Sequence, residues 1–285
     1  MFHYKDSSRA VVKAFFACLV IAVAMAPQLR ADAWTQEQGH GQIIFGASFF
    51  ETAREYEADG NVARFSYQGS FRQFQLNPYI EYGLTSRTTL VVNAFAPFLK
   101  FENQYGSQTS AGMGDIETAV RHRLNSTESP MPVSVQFTVL FPTYPADRQP
   151  PPGNHQVDLE SKLMIGRGVH IAKRTAFWSM GGAYRFRSGA PADQWRSDAT
   201  LGLDLTHRFT VMTQFFGITG LRNGSPLVVG GNPNAQSDFD LYKGQFSLVT
   251  RLGPHTRFQL GWNDTIAGRN TGRGQTVLVA LWQDF

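Results

Sequence analysis

The sequence predicts an all-β fold: a transmembrane antiparallel β-barrel of about 12 strands, following a cleaved signal peptide. Three observations carry this reading. The chain opens with a secretory leader, it then repeats segments of alternating apolar and polar residues, and its connections alternate between short and long in register with strand number.

Lys5, Arg9 and Lys13 precede an apolar run from Ala14 to Ala26, followed by Pro27 and the small-residue site Ala31-Asp32-Ala33. That order is a signal peptide, with cleavage expected after Ala33 and a single barrel domain over 34–285. The apolar run spans about 13 residues where a membrane helix needs roughly 20, so it is too short for a permanent anchor. Cys18 is the only cysteine and leaves with the leader, and no lipobox surrounds it, so neither disulfides nor a lipid anchor is expected. The chain holds 27 Gly, 23 Phe and 42% hydrophobic residues, yet its mean hydropathy is −0.24. No later apolar run is long enough to cross as a helix, which excludes a helical membrane protein. No linker, charge block or low-complexity break divides the mature chain, so one domain is expected. The formal charge of +4 shrinks once Lys5, Arg9, Lys13, Arg30, Asp6 and Asp32 leave. That balance argues against nucleic acid as a partner, despite a pI of 9.3.

Spanning strands need only about ten residues, with apolar side chains toward lipid and polar ones toward the lumen. A first strand is expected over 42–50. From Phe71 to Gly83, Phe74, Leu76, Ile80 and Tyr82 alternate with Gln73, Gln75, Asn77 and Glu81. A tight hairpin at Tyr82 to Arg87 leads to Leu90, Val92, Ala94, Ala96 and Phe98, opposite Thr89 and Asn93. Ile116, Val120 and Leu124 then oppose Asp115, Glu117, Arg121 and Arg123, and Val133, Val135, Phe137, Val139 and Phe141 oppose Ser134, Gln136 and Thr138. Next, Val157, Leu159, Leu163 and Ile165 oppose Asp158, Glu160 and Lys162, while Trp178, Met180, Tyr184 and Phe186 oppose Ser179, Arg185 and Arg187. Leu201, Leu203 and Leu205 face away from Arg196, Asp198, Thr200 and Asp204. Segments 210–221, 238–252, 257–267 and 275–285 complete the set, the first of them alternating poorly through Phe215, Phe216 and Ile218.

Long connections are expected at 51–70, 102–111, 143–154, 188–194, 222–237 and 268–274, and short ones at 84–86, 125–131, 168–173, 207–209 and 253–255. A bacterial outer-membrane barrel sorts its loops in this way, with short periplasmic turns and both termini in the periplasm; a soluble sandwich has no reason to. The chain ends on Phe285, and a final aromatic on a last strand is what the barrel-assembly machinery recognises. That machinery and outer-membrane lipid are the expected partners, with a small-molecule solute.

The polar parity maps a lumen. Gln73, Gln75, Asn77 and Lys243 are expected to line it. Lys162 and Asp198 are also expected to line it, and Asp115, Glu117, Asp158, Glu160, Arg185, Arg187 and Arg196 are expected toward its outer end. Arg87, Arg121, Arg123, Arg251 and Arg257 outnumber Glu81 and Asp204 toward the periplasm. Such charges either give a slight anion preference or neutralise one another and fill a narrow barrel.

No catalytic or cofactor set emerges. The histidines at 40, 122, 155, 170, 207 and 255 are scattered singly, which argues against a metal. No His-x-Ser is present, the pattern in which a barrel acyl hydrolase lets an imidazole activate a hydroxyl. Gly112-Met113-Gly114-Asp115 begins a strand and does not open a helix, so it is no phosphate cradle. Arg148-Gln149-Pro150-Pro151-Pro152-Gly153 is expected to stiffen an external loop. Trp178, Tyr184, Trp262 and Tyr82 fall on the lipid-facing parity, as interfacial girdles do.

Tyr82-Gly83-Leu84-Thr85-Ser86-Arg87-Thr88-Thr89-Leu90, Gly112-Met113-Gly114-Asp115-Ile116 with Arg123-Leu124, and Phe141-Pro142-Thr143 together resemble the outer-membrane barrel family named for the meta-pathway of phenol degradation. The resemblance covers the chain from about residue 40 onward. It implies a candidate transporter of aromatic or other small hydrophobic compounds, with no catalytic set to carry over. The leading expectation is a passive outer-membrane channel and not an enzyme. The alternatives are an outer-membrane lipid-modifying acyl hydrolase and a closed structural or adhesive barrel.

Overall fold

The computed structural model describes residues 33–153, 155–171, 174–225 and 231–285. The leader therefore lies outside the described residues, except for Ala33.

Twelve strands close into one antiparallel barrel. In chain order they are β1 (Gly41–Thr52), β2 (Ser70–Thr85), β3 (Thr88–Ala94 and Ala96–Asn103), β4 (Gly106–Ala111 and Asp115–Arg123), β5 (Val133–Pro142), β6 (Asp158–Ile171), β7 (Arg174–Arg187), β8 (Gln194–Asp204), β9 (Phe209–Gly220), β10 (Asp240–Arg251), β11 (Thr256–Arg269) and β12 (Gln275–Asp284). Each pairs with its neighbour in sequence. β1 closes the ring by pairing with both β2 and β12, from Gly46 opposite Asn77 on one side to Gly46 opposite Ala280 on the other. Closure leaves no edge strand, the condition for backbone polar groups to be satisfied inside a bilayer.

The expected alternation is present. Phe45, Phe74, Phe137, Leu163, Leu201 and Leu260 stand exposed on the outside, while Thr89, Ser134, Ser179, Thr200 and Thr265 are buried on the inside. This outward apolar belt makes the molecule a membrane-spanning barrel. The sequence misplaced two connections. Residues 102–111, expected as a long loop, continue the hairpin of β3 and β4 to a tight turn at 104–105; Asn103 pairs with Gly106 there. Residues 168–171 likewise belong to β6, which pairs with β7 as far as Ile171 and Arg174. Residues 102–111 are mostly polar and carry no apolar alternation, while 168–171 continue it through Val169 and Ile171 but lie among the glycines and charges of a turn-like stretch.

Gly112-Met113-Gly114 forms an irregularity in β4 opposite Phe95. Gly114 N–H donates to the Phe95 carbonyl at 2.7 Å, and Gly112 has a φ of +126°, a conformation that suits glycine. Above the membrane, three short strands (Arg54–Tyr56, Val62–Arg64 and Thr271–Gly272) knit the β1–β2 loop to the β11–β12 loop.

Candidate functional site

The interior is narrowed differently toward its two ends, with a cavity between. At the end carrying the short turns, residues 33–40 turn inward beneath the barrel wall. Gln38 bridges Gly83, whose missing side chain leaves room for the Glu37 backbone. Gln36 is fixed twice, its backbone N–H donating to Thr89 Oγ1 at 2.8 Å and its side-chain amide to Glu81 Oε2 at 2.7 Å. Arg121 holds the same segment: its guanidinium pairs with Glu81 at 2.8 Å and donates to the Trp34 carbonyl at 3.0 Å. The Trp34 ring meets Phe177 edge-on, 6.4 Å between centroids, on a cluster of Phe177, Met212, Val249, Ala280 and Trp282. An apolar cluster of inward-facing side chains thus stands at the floor of the interior beside the buried arginines of this end, with Arg257 over the Trp282 ring.

At the other end, long loops fold over the mouth. The proline-rich stretch does more than stiffen its own loop: Pro150 is buried, its carbonyl accepts from Ser110 Oγ at 2.6 Å, and the Pro151 carbonyl accepts from Asn232 Nδ2 at 2.7 Å. Residues 188–193 are tied to the β9–β10 loop through Asp193, which accepts from the Arg187 backbone N–H, the Tyr184 hydroxyl and the Asn223 amide at 2.7–2.8 Å. Burial alone would raise the Asp193 carboxyl, but these donors hold it below the usual range. In the neighbouring loop, burial beside the Asp115 carboxylate pushes the Tyr144 hydroxyl well above its ordinary value.

Between the ends lies a cavity of about 620 Å³. Of the residues expected to face the lumen, Gln73, Gln75, Asn77 and Lys243 border it. Asp115, Asp158, Arg185, Arg187 and Arg196 surround a separate outer niche of about 180 Å³. Glu160, Lys162 and Asp198 join Arg196 and Lys243 around a side niche of about 110 Å³. Glu117 accepts from Arg185 at 2.9 Å and from Asn93 at 3.0 Å. Arg121, Arg123, Arg251 and Arg257 are not brought to the cavity. Arg123 folds onto its own turn, donating to the Ser129 carbonyl at 2.8 Å, and Arg257 pairs with Asp284.

The charged residues form a connected wall across β4, β6, β7 and β8. Arg185 sits among three carboxylates, at 2.8 Å from Glu160, 2.9 Å from Glu117 and 3.9 Å from Asp158. Arg187 lies 3.5 Å from Asp158, Arg196 3.5 Å from Glu160, and Lys162 2.6 Å from Asp198. These charges neutralise one another.

The opposite wall is lined mainly by neutral amides, with Lys243 its one cation, and was largely missed by the sequence reading. Gln42, Gln214, Gln245, Gln259 and Asn263 border the cavity from β1 and β9 to β11, beside Phe50, Phe216 and Leu241. Gln245 donates to Gln214 at 2.8 Å, Gln259 to Ser247 at 3.0 Å, and the Trp282 indole to Gln259 at 3.1 Å. The signal was available: the polar parity of 210–221 and 257–267 carries Gln214, Gln259 and Asn263, but apolar Met212, Phe216 and Ile218 share the inward face of β9 and blur its alternation.

No protein-family model matches the chain, and no curated protein sequence is significantly similar to it. Solved structures do resemble its fold. The COG4313 outer membrane channel from Pseudomonas putida F1 superposes with a TM-score of 0.66 at 13% identity, covering 91% of this chain and 100% of that one. The KdgM porin gives 0.53 at 6% identity over 86% and 99%, and the NanC porin 0.52 at 8% over 85% and 98%. The fold is that of a bacterial outer-membrane barrel.

Proposed function

We propose that this chain is a passive outer-membrane channel for small solutes, akin to the family named for the meta-pathway of phenol degradation, and that it does no catalysis. The observation that carries this is the cavity of about 620 Å³ within a membrane-spanning barrel, lined mainly by neutral amides and aromatic rings, while the charged groups other than Lys243 are largely paired along one wall. Amides exchange hydrogen bonds with a passing solute without holding it as a full charge would, and rings offer an apolar surface. Gln73, Gln75, Asn77 and Lys243 line the path in this reading, and the paired wall shapes it.

The inward-folded segments at both ends make the path narrow. Purified barrel in planar bilayers is expected to show small stepwise conductance, and in liposomes to admit phenols and small sugars at rates that fall with solute size. Folded barrel that neither conducts nor admits any of these would sink the channel reading; ester turnover lost on changing one Ser or His would replace it with the hydrolase.

A further inference from the structure

Each cation of the charged wall has its acid, but Lys243 does not. Lys162 holds Asp198, Arg185 holds Glu117 and Glu160, and Arg187 holds Asp158. Among the described residues no hydrogen bond or ion pair reaches the Lys243 ammonium, whose neighbour is the Phe50 ring, 5.6 Å from its centroid. Lys243 is the direct cross-strand partner of Phe216, and both border the central cavity and the side niche. The other charges around that niche are Glu160, Lys162, Arg196 and Asp198, so the cations exceed the acids there, and both acids are already engaged. A charge inside a protein is costly unless it is paired, so the site is short of one negative charge. A register shift between β10 and β11 falls at Tyr242 and Lys243 and leaves Ile266 out of the pairing. Irregularities of this kind re-aim side chains beside functional sites.

We infer that Lys243 anchors the carboxylate of an aromatic monocarboxylic acid, whose ring lies against the exposed face of Phe216, beside the buried Phe50. This deepens the channel reading by naming a solute class and rests on it. A strongly hydrated anion would satisfy the ammonium but leave the exposed Phe216 ring uncovered, whereas a neutral phenol would cover that ring and leave the ammonium without a counter-charge. An acid with an apolar body meets both demands. The neutral amides across the cavity add no second charge to trap it, so the solute is held in one place and released.

The test uses refolded barrel in detergent at pH 7.5, titrated with benzoate, acetate and phenol by calorimetry. Benzoate is expected to bind about tenfold or more tighter than either comparator. Lys243→Met should abolish that advantage, Lys243→Arg should keep most of it, and Phe216→Ala should weaken benzoate while leaving acetate unchanged. Acetate binding as tightly as benzoate to the wild-type barrel overturns the inference, as does unchanged benzoate binding in folded Lys243→Met. If that variant does not fold, the wild-type comparison alone decides. Conductance in potassium chloride without any organic acid reads the channel separately. A barrel that binds benzoate but neither conducts nor admits solute into liposomes would end the channel reading and keep the site; a conducting barrel indifferent to benzoate would do the reverse.

Discussion

The two walls of the lumen solve the same problem by opposite means. Across β4 and β6 to β8, full charges are buried and locked in a network centred on Arg185, which touches carboxylates from β4 and β6. Around β1, β2 and β9 to β11, neutral amides bond to one another in short chains such as Gln73 to Gln75 and Gln245 to Gln214. A buried ion network is sensitive to the loss of any member, because each partner left behind is an unpaired charge. An amide that loses its neighbour can turn to water in the cavity. One wall is therefore suited to fix the barrel's cross-section and the other to meet whatever occupies it.

The sharpest way to break this comparison is Arg185→Ala. It leaves Glu117 without a cation and Glu160 and Asp158 with only their longer contacts to Arg196 and Arg187, and a loss of about 3 kcal/mol is expected in urea unfolding of the detergent-solubilised barrel. Gln75→Ala on the other wall is expected to cost no more than about 1 kcal/mol. Equal losses would mean that the walls do not differ in kind.

Next in size is the floor. Gly83→Ala puts a methyl group where the Glu37 backbone lies, and Trp34→Ala removes the ring seated on Phe177. Either change should loosen residues 33–40 and raise single-channel conductance several-fold, with little effect on unfolding. Unchanged conductance in both variants would show that the floor does not limit passage.

These contrasts also mark what the sequence could convey. Alternation in β2 to β8 was legible because lipid strips one face of polar groups while the lumen keeps them, as with Phe74 against Gln73 and Leu159 against Asp158. The narrowing of the ends was not legible, since loops and the segment before β1 have no periodicity. Inward aromatics were hidden for a related reason: Phe177, Phe216 and Trp282 look like lipid-facing residues unless their parity is fixed by neighbours. The ion pairs were legible as a collection of charges but not as partners, because Arg185 reaches Glu117 from three strands away.

The smallest expected effect concerns the mouth and turns on Asp193. Its carboxyl is held below the usual range by three donors, so the unfolded state binds the proton more readily than the folded one. The stabilisation it gives is then fully present above the ordinary aspartate pKa of about 3.9 and is lost as pH falls through the lower folded value. Between pH 8 and pH 5 the clamp joining residues 188–193 to Asn223 should stay shut. Under stronger acid, amide exchange around 188–193 and 221–225 should accelerate before the strands respond. Asp193→Asn keeps the size and one acceptor oxygen but removes the titration, so it should weaken the clamp slightly at neutral pH and erase its acid dependence. Persistence of the acid response in Asp193→Asn would assign it instead to the charged wall, whose carboxylates lie immediately beneath the same loops, and the mouth and the wall would then behave as one unit.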